Sequence, residues 1–99
     1  MDSLADLTID AFRPRVGERF RIRSAHASAL DAELIDVRAV GASRADRRTP
    51  FALLFRTALT APLPQAIYRV EHDEVGAHDI FLVPVGPDAA GMVYEAIFT

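Results

Sequence analysis

Residues 66–98, AIYRVEHDEVGAHDIFLVPVGPDAAGMVYEAIF, contain three apolar segments separated by two short links. The segments span residues 66–71, 79–85 and 92–98. The first link contains Gly76, and the second begins and ends with glycine and has proline and aspartate inside. These residue types are typical of tight turns. The stretch therefore predicts three consecutive antiparallel strands joined by hairpins.

Alternate positions within these segments are apolar, which is the pattern expected when one side of each strand faces a core. Segment 79–85 is apolar on both of its sides. The positions predicted to share one buried face are Tyr68, Val70, Ile80, Leu82, Tyr94, Ala96 and Phe98.

Three segments upstream are also typical of strands. Arg19–Arg23 alternates arginine with large apolar residues, and residues 30–40 alternate in the same way. The adjacent Leu34 and Ile35 break that alternation and predict a bulge or a change of the buried face. Residues 51–56 are apolar on most of both sides, which predicts a central strand.

The segment Ser3–Arg15 predicts a short helix or irregular arm that ends near Arg13, with Ser3 or Thr8 able to cap a helical turn. Phe12 is expected to pack onto the strands. The whole chain, residues 1–99, is predicted to be a single all-β domain. It has about six mostly antiparallel strands in a curved sheet or small barrel, and the arm covers one end.

Composition limits the classes of partner. The chain has 99 residues, a net charge of -3 and no cysteine, and its pI is near 5.5. It lacks the basic surface of nucleic-acid-binding proteins, and without cysteine it has no disulfide and no thiol nucleophile. All 11 basic residues are arginine, which the codon bias of a GC-rich genome explains as well as function does.

No secretory signal and no membrane span is visible in the sequence, which leaves export by a route that needs no leader as the alternative. The chain has no basic-then-apolar leader, and its longest apolar runs are far shorter than a membrane span. We therefore expect a soluble bacterial protein that is cytoplasmic as synthesised, with neither a membrane nor nucleic acid as its partner.

The link between the first two C-terminal segments is one candidate site. His72 and His78 flank it, with Asp73 and Asp79 beside them, and imidazole and carboxylate groups can bind a divalent metal. The spacing matches no specific metal motif, and the alternative is an exposed, solvated hairpin end. We expect no cofactor, and these four residues are weak metal candidates.

Arginines provide two other candidate sites. A stripe on one side of the first strand either binds an anionic ligand or forms ion pairs with acids of a neighbouring strand, for example Asp31, Glu33 or Asp36. The loop of residues 41–49 is expected to be exposed, and residues 44–48 lack the glycines of a phosphate-binding loop. The arginines of the stripe are Arg19, Arg21 and Arg23, preceded by Arg13 and Arg15.

No pattern in the sequence predicts catalysis. No serine lies in a Gly-x-Ser-x-Gly elbow, and no carboxylate pair stands out as an acid and a base. Glu95 lies within an apolar segment and is either a buried functional carboxylate or an acid on the wetter side, paired with Arg56 or Arg69. We expect no enzymatic activity, and a hydrolase built on Glu95 or the acidic hairpin is the weakest alternative.

Four elements resemble a small bacterial domain-of-unknown-function family. They are FRPRVGERF at 12–20, PFALLFR at 50–56, LPQAIYRVEH at 63–72 continuing to FLVPVG at 81–86, and YEAIF at 94–98. The resemblance covers nearly the whole chain. It implies an association with proteins that carry phage-tail-collar domains of the microcystin-dependent type, and so a tail-like or surface assembly. The resemblance assigns neither an activity nor catalytic residues to this chain.

The sequence therefore predicts a non-enzymatic interaction domain whose partner is another protein, and the resemblance implies that this partner is of the tail-collar type. An exposed strand edge is the expected contact surface, and it would also permit a homo-oligomer. The alternative is a small-ligand or metal-binding β-barrel, with the His72 and His78 hairpin or the barrel mouth as its site.

Overall fold

Six β-strands follow one short helix in the computed structural model, which describes residues 7–23, 29–42, 48–58 and 63–99. The six predicted strands and the short N-terminal helix are confirmed, and no helix in these ranges is long and apolar enough to cross a membrane. The elements are α1 Ile9–Phe12, a 3₁₀ turn at Arg13–Arg15, β1 Arg19–Arg23, β2 Leu30–Ala39, β3 Phe51–Thr57, β4 Ala66–His72, β5 Gly76–Asp88 and β6 Gly91–Phe98.

The strands close into an antiparallel barrel in the order β1-β2-β3-β6-β5-β4, and β4 pairs with β1. The two predicted hairpins, β4 with β5 and β5 with β6, are confirmed. Because closure gives every strand two neighbours, β3 is not the central strand of an open sheet. Closure also means that none of the described strands has a free edge along its whole length.

Two irregularities bend the strands. The pairing of β2 with β3 shifts between Leu34 and Asp36, which confirms the predicted bulge. The pairing of β5 with β6 shifts between Pro84 and Gly86. A loop was expected from Gly86 onwards, but β5 continues through this shift to Asp88, and the turn that follows contains only two residues.

Apolar side chains from the strands and the N-terminal arm fill the barrel. All seven positions predicted to share a buried face are buried. Phe12 is 1% exposed, with its ring centroid 5.8 Å from that of Phe51 and 5.9 Å from that of Phe98, so its predicted packing is confirmed. Thr8 precedes α1 but its side chain makes no capping hydrogen bond, and Ser3 lies outside the described residues.

Candidate interaction surface

The arginine stripe of β1 is paired with acids of the domain itself. Arg23 Nε donates to Glu71 Oε1 at 2.8 Å, while Arg21 lies 3.5 Å from Glu71 and 3.3 Å from Asp73. The hydrogen bond from Arg23 is the main reason why the pKa of Glu71 is lower than its ordinary value. The hydrogen bond to Asp73 raises the pKa of Arg21. These guanidinium groups therefore stabilise the seam between β1 and β4.

The other arginines of the stripe are paired as well. Their pairs are Arg19 with Asp31 at 3.8 Å, Arg13 with Asp10 at 3.7 Å, and Arg15 with Glu74 at 2.8 Å. The expected pairing with a neighbouring strand is thus found, although β4 and its turn supply more of the acids than β2 does. Asp36 pairs instead with Arg38 of its own strand. The stripe is an ion-pair network, and each exposed pair in such a network contributes little to stability.

The two histidines of the β4–β5 hairpin make hydrogen bonds within the domain. His72 Nδ1 accepts from the backbone N–H groups of Glu74 and Val75 at 3.0 and 3.2 Å. The neutral ring therefore carries its proton on Nε2, which lies 2.7 Å from Glu18 Oε1. His78 Nε2 lies 3.0 Å from the carbonyl oxygen of Val75. These hydrogen bonds stabilise the turn between β4 and β5.

Neither histidine lies on an exposed hairpin end. The His72 side chain is 8% exposed and its ring centroid lies 4.5 Å from that of Phe20, and His78 is also 8% exposed. The solvated-end interpretation is therefore wrong for both, because their strand positions turn them towards the core. Asp73 and Asp79 are exposed. Within the described ranges, no three His, Cys, Asp or Glu side chains are arranged to hold a metal ion.

Arg48 corrects the expectation of an exposed arginine loop. Its Nε donates to the carbonyl oxygen of Thr99 at 3.0 Å, and its NH1 donates to that of Leu7 at 2.5 Å. The guanidinium also lies 5.8 and 5.5 Å from the ring centroids of Phe51 and Phe98, within the range of a cation–π contact. Arg48 thus joins the two ends of the described chain to the barrel. Residues 43–47 lie outside the described ranges.

Asp88 organises the turn between β5 and β6. Its Oδ1 accepts from the backbone N–H groups of Ala90 and Gly91 at 2.8 and 3.0 Å, and its Oδ2 accepts from Arg56 Nε at 2.9 Å and NH2 at 2.6 Å. The hydrogen bond from Arg56 is the largest cause of the lowered pKa of Asp88, followed by that from Ala90. The arginine of β3 therefore fixes the turn that leads into β6.

This lowered pKa predicts part of the acid sensitivity of the fold. The ionised Asp88 carboxylate stabilises the folded state above the ordinary aspartate pKa of 3.8. That contribution is lost as the pH falls below that value and through the lower folded-state pKa. Asp88→Asn is expected to lower the melting temperature at neutral pH and to weaken its fall between about pH 5 and about pH 2. Thermal unfolding followed by circular dichroism measures both.

Arg56→Ala tests whether the hydrogen bond from Arg56 causes the acid dependence that Asp88 contributes. Because it removes the main hydrogen bond to Asp88, it is expected to weaken the acid dependence in the same direction. An acid profile of Asp88→Asn parallel to that of the parent chain would contradict the assignment.

An apolar row crosses the outer wall of the barrel. Ile67 of β4, Phe81 of β5 and Ile97 of β6 are 67%, 51% and 52% exposed. Ile67 and Phe81 are paired across the β4–β5 ladder, and Phe81 and Ile97 line the same cleft. These three residues form the outer apolar row. Part of it could be foreseen, because segment 79–85 is apolar on both sides and only one side can face the core.

Glu95 lies beside the outer apolar row. Its neighbours Tyr94 and Ala96 are buried, so strand alternation places Glu95 on the outer wall. There Glu95 is half-buried, and it pairs in register with Leu54 of β3 and Val83 of β5. The expected partners are engaged elsewhere, since Arg56 bonds Asp88 and Arg69 bonds Glu71. Within the described ranges, Glu95 has no ion-pair partner.

Two of the concave regions on the described surface bear on the site. One, of about 370 Å³, is lined by residues that include Arg19, Asp31 and Arg56. Its arginines already pair with Asp31 and Asp88. The other, of about 230 Å³, lies between β5 and β6 and is lined by Arg48, Ile80, Phe81, Ile97, Phe98 and Thr99. Only the second is continuous with the outer apolar row.

These features define a small closed β-barrel with an exposed apolar row on its outer wall. The chain belongs to the family described as domain of unknown function DUF6916, whose sequence pattern matches residues 7–98. Membership of a small domain-of-unknown-function family, expected from the sequence elements, is thereby confirmed. No curated protein and no solved structure matches the chain.

Proposed function

We propose that this domain is a non-enzymatic protein-binding module and that the outer apolar row is its binding surface. The observation that carries the proposal is the exposure of three large apolar side chains, Ile67, Phe81 and Ile97, side by side on neighbouring strands. Contiguous exposed apolar residues on a soluble domain mark interaction sites, whereas scattered ones need no explanation. Aromatic residues are enriched in such interfaces.

Charge defines the chemistry of the partner. The arginines beside β1 are paired within the domain, whereas Glu95, next to the row, has no ion-pair partner among the described residues. A partner that presents apolar side chains together with an arginine or lysine complements this surface, because a carboxylate at the rim of an interface favours an opposite charge.

The class of partner that we propose is a tail-collar-like protein, with the domain as a bacterial assembly accessory made in the cytoplasm. The support for this class is a resemblance to a small bacterial domain family that is associated with tail-collar proteins. The resemblance is carried by the sequence elements at residues 12–20, 50–56, 63–86 and 94–98. A contact through the face of a barrel fits an accessory role, because it leaves the barrel itself intact.

Phe81→Asp is expected to reduce partner recovery at least tenfold, as loss of a central aromatic contact costs about 2 kcal/mol or more. Val40→Asp is the matched control, because Val40 is 47% exposed and lies outside the row. Both variants are used as bait in a bacterial lysate, with cross-linking and quantitative mass spectrometry. Circular dichroism confirms that both are folded.

The two baits separate specific from general capture. Proteins lost with Phe81→Asp but retained with Val40→Asp are partners of the row, and tail-collar-like sequences among them would support the assembly role. If both baits recover the same proteins in equal amounts, the row is not the binding surface.

A further inference from the structure

We infer that the partner binds as an extended strand, added where the ladder between β5 and β6 is open. This inference rests on the proposed function and specifies the form of the partner. The observation that carries it is how β5 pairs with its two neighbouring strands. Within β5, residues 76–82 pair with β4, whereas pairing with β6 begins only at Val83, opposite Glu95.

Among the described residues, two strand segments lack a neighbour on one side. In these ranges, residues 76–82 of β5 have no ladder partner on the side of β6, and residues 96–98 of β6 have none on the side of β5. In an extended strand, backbone N–H and C=O groups of alternate residues point to opposite sides. Some of these groups therefore face the opening, where another strand can pair with them.

The side chains at the opening are those of a strand-binding groove. The cleft of about 230 Å³ lies here. Ile80 and Phe81 of β5 and Ile97 and Phe98 of β6 form its apolar walls, and Arg48 and Thr99 line the rest. Two members of the outer apolar row, Phe81 and Ile97, stand at its rim. Backbone pairing together with pockets for alternate side chains is the way in which sheet edges recognise peptides.

An extended peptide fits this opening better than the other candidate occupants. A helix satisfies its own backbone groups and so leaves those of β5 and β6 unpaired. A second copy of the chain offers no separate strand among its described residues, because each of these strands pairs with two others of its own barrel. The carboxylate of Glu95, two residues before Ile97 on the same face of β6, favours a peptide with a basic residue.

The test uses a display library of random peptides, selected on the full chain and counter-selected on Phe81→Asp. We expect selected peptides to carry apolar residues at every second position together with an arginine or lysine. Synthetic versions are then N-methylated at one backbone nitrogen at a time. Methylation is expected to weaken binding at least tenfold at successive positions along the part of the peptide in the opening, because its N–H groups face β5 and β6 in turn. Hydrogen exchange at residues 80–82 and 96–98 is expected to slow when the peptide binds.

The outcomes separate this inference from the proposed function. Peptides that require Phe81 but space their apolar residues by three and four, and that leave hydrogen exchange at residues 80–82 and 96–98 unchanged, would overturn strand addition while protein binding through the row stands. Failure to select any peptide that requires Phe81 would also overturn strand addition, and the lysate experiment decides the proposed function separately.

Discussion

Replacing Gly91 with alanine is expected to lower the free energy of unfolding by about 4 kcal/mol, at the upper end of single-substitution effects. A Cβ atom on Gly91 would lie 1.8 Å from the carbonyl oxygen of Thr57 and 3.0 Å from its carbonyl carbon. Both contacts are with backbone, which cannot rotate away as a flexible side chain can. The start of β6 would therefore have to separate from the end of β3, next to the pair that Thr57 forms with Met92. Urea unfolding measures the change.

Gly17→Ala is the matched control for this prediction. Gly17 has a φ of 91°, but a Cβ there meets no atom within 4 Å, so its substitution carries only the backbone cost of about 1 kcal/mol. If Gly91→Ala unfolds at the same urea concentration as Gly17→Ala, the close approach of β6 to Thr57 does not hold in solution.

The strands could be predicted because their signal is local. Alternation in Arg19–Arg23 and in the three C-terminal segments depends on a few adjacent residues, and the glycines of the links mark the turns. The N-terminal arm was also predictable, since Leu7, Ile9 and Phe12 are large apolar residues at short spacing among polar ones, and such residues are usually buried. Barrel closure was not, because it depends on β1 pairing with β4, which lie far apart in the chain and carry no signal that specifies each other.

The outer apolar row was predictable only in part. Periodicity places Phe81 and Ile97 on the side of each strand that faces away from the core, but it cannot tell whether another element covers that side. The same limit applies to His72, whose contacts with Glu18 and the turn amides depend on tertiary structure. The bonds of Arg48 to the carbonyls of Leu7 and Thr99 join residues distant in sequence, so a polar loop sequence gave no sign of them.

Phe12→Ala is expected to lower the free energy of unfolding by about 3–5 kcal/mol, the usual cost of removing a buried phenylalanine ring. Phe12 is 1% exposed, and its ring centroid lies 6.5 Å from that of Phe20 and 5.8 Å from that of Phe51. Because its helix has only four residues, too few to be stable alone, packing of this ring holds the arm. Its loss is expected to leave a cavity at the end of the barrel and to free the arm as well.

Two further variants separate these two effects in urea unfolding and hydrogen exchange. Phe12→Leu keeps most of the buried volume and is expected to recover a large part of the stability. Asp10→Ala, in the same helix but with a side chain 83% exposed, is expected to change it by less than about 0.5 kcal/mol. Relative to the parent chain, Phe12→Ala should accelerate hydrogen exchange more at the backbone amides of Ile9–Phe12 than at those of β3, because the arm is released before the strands separate. Equal acceleration in both elements would show instead that the arm and the barrel unfold as one unit.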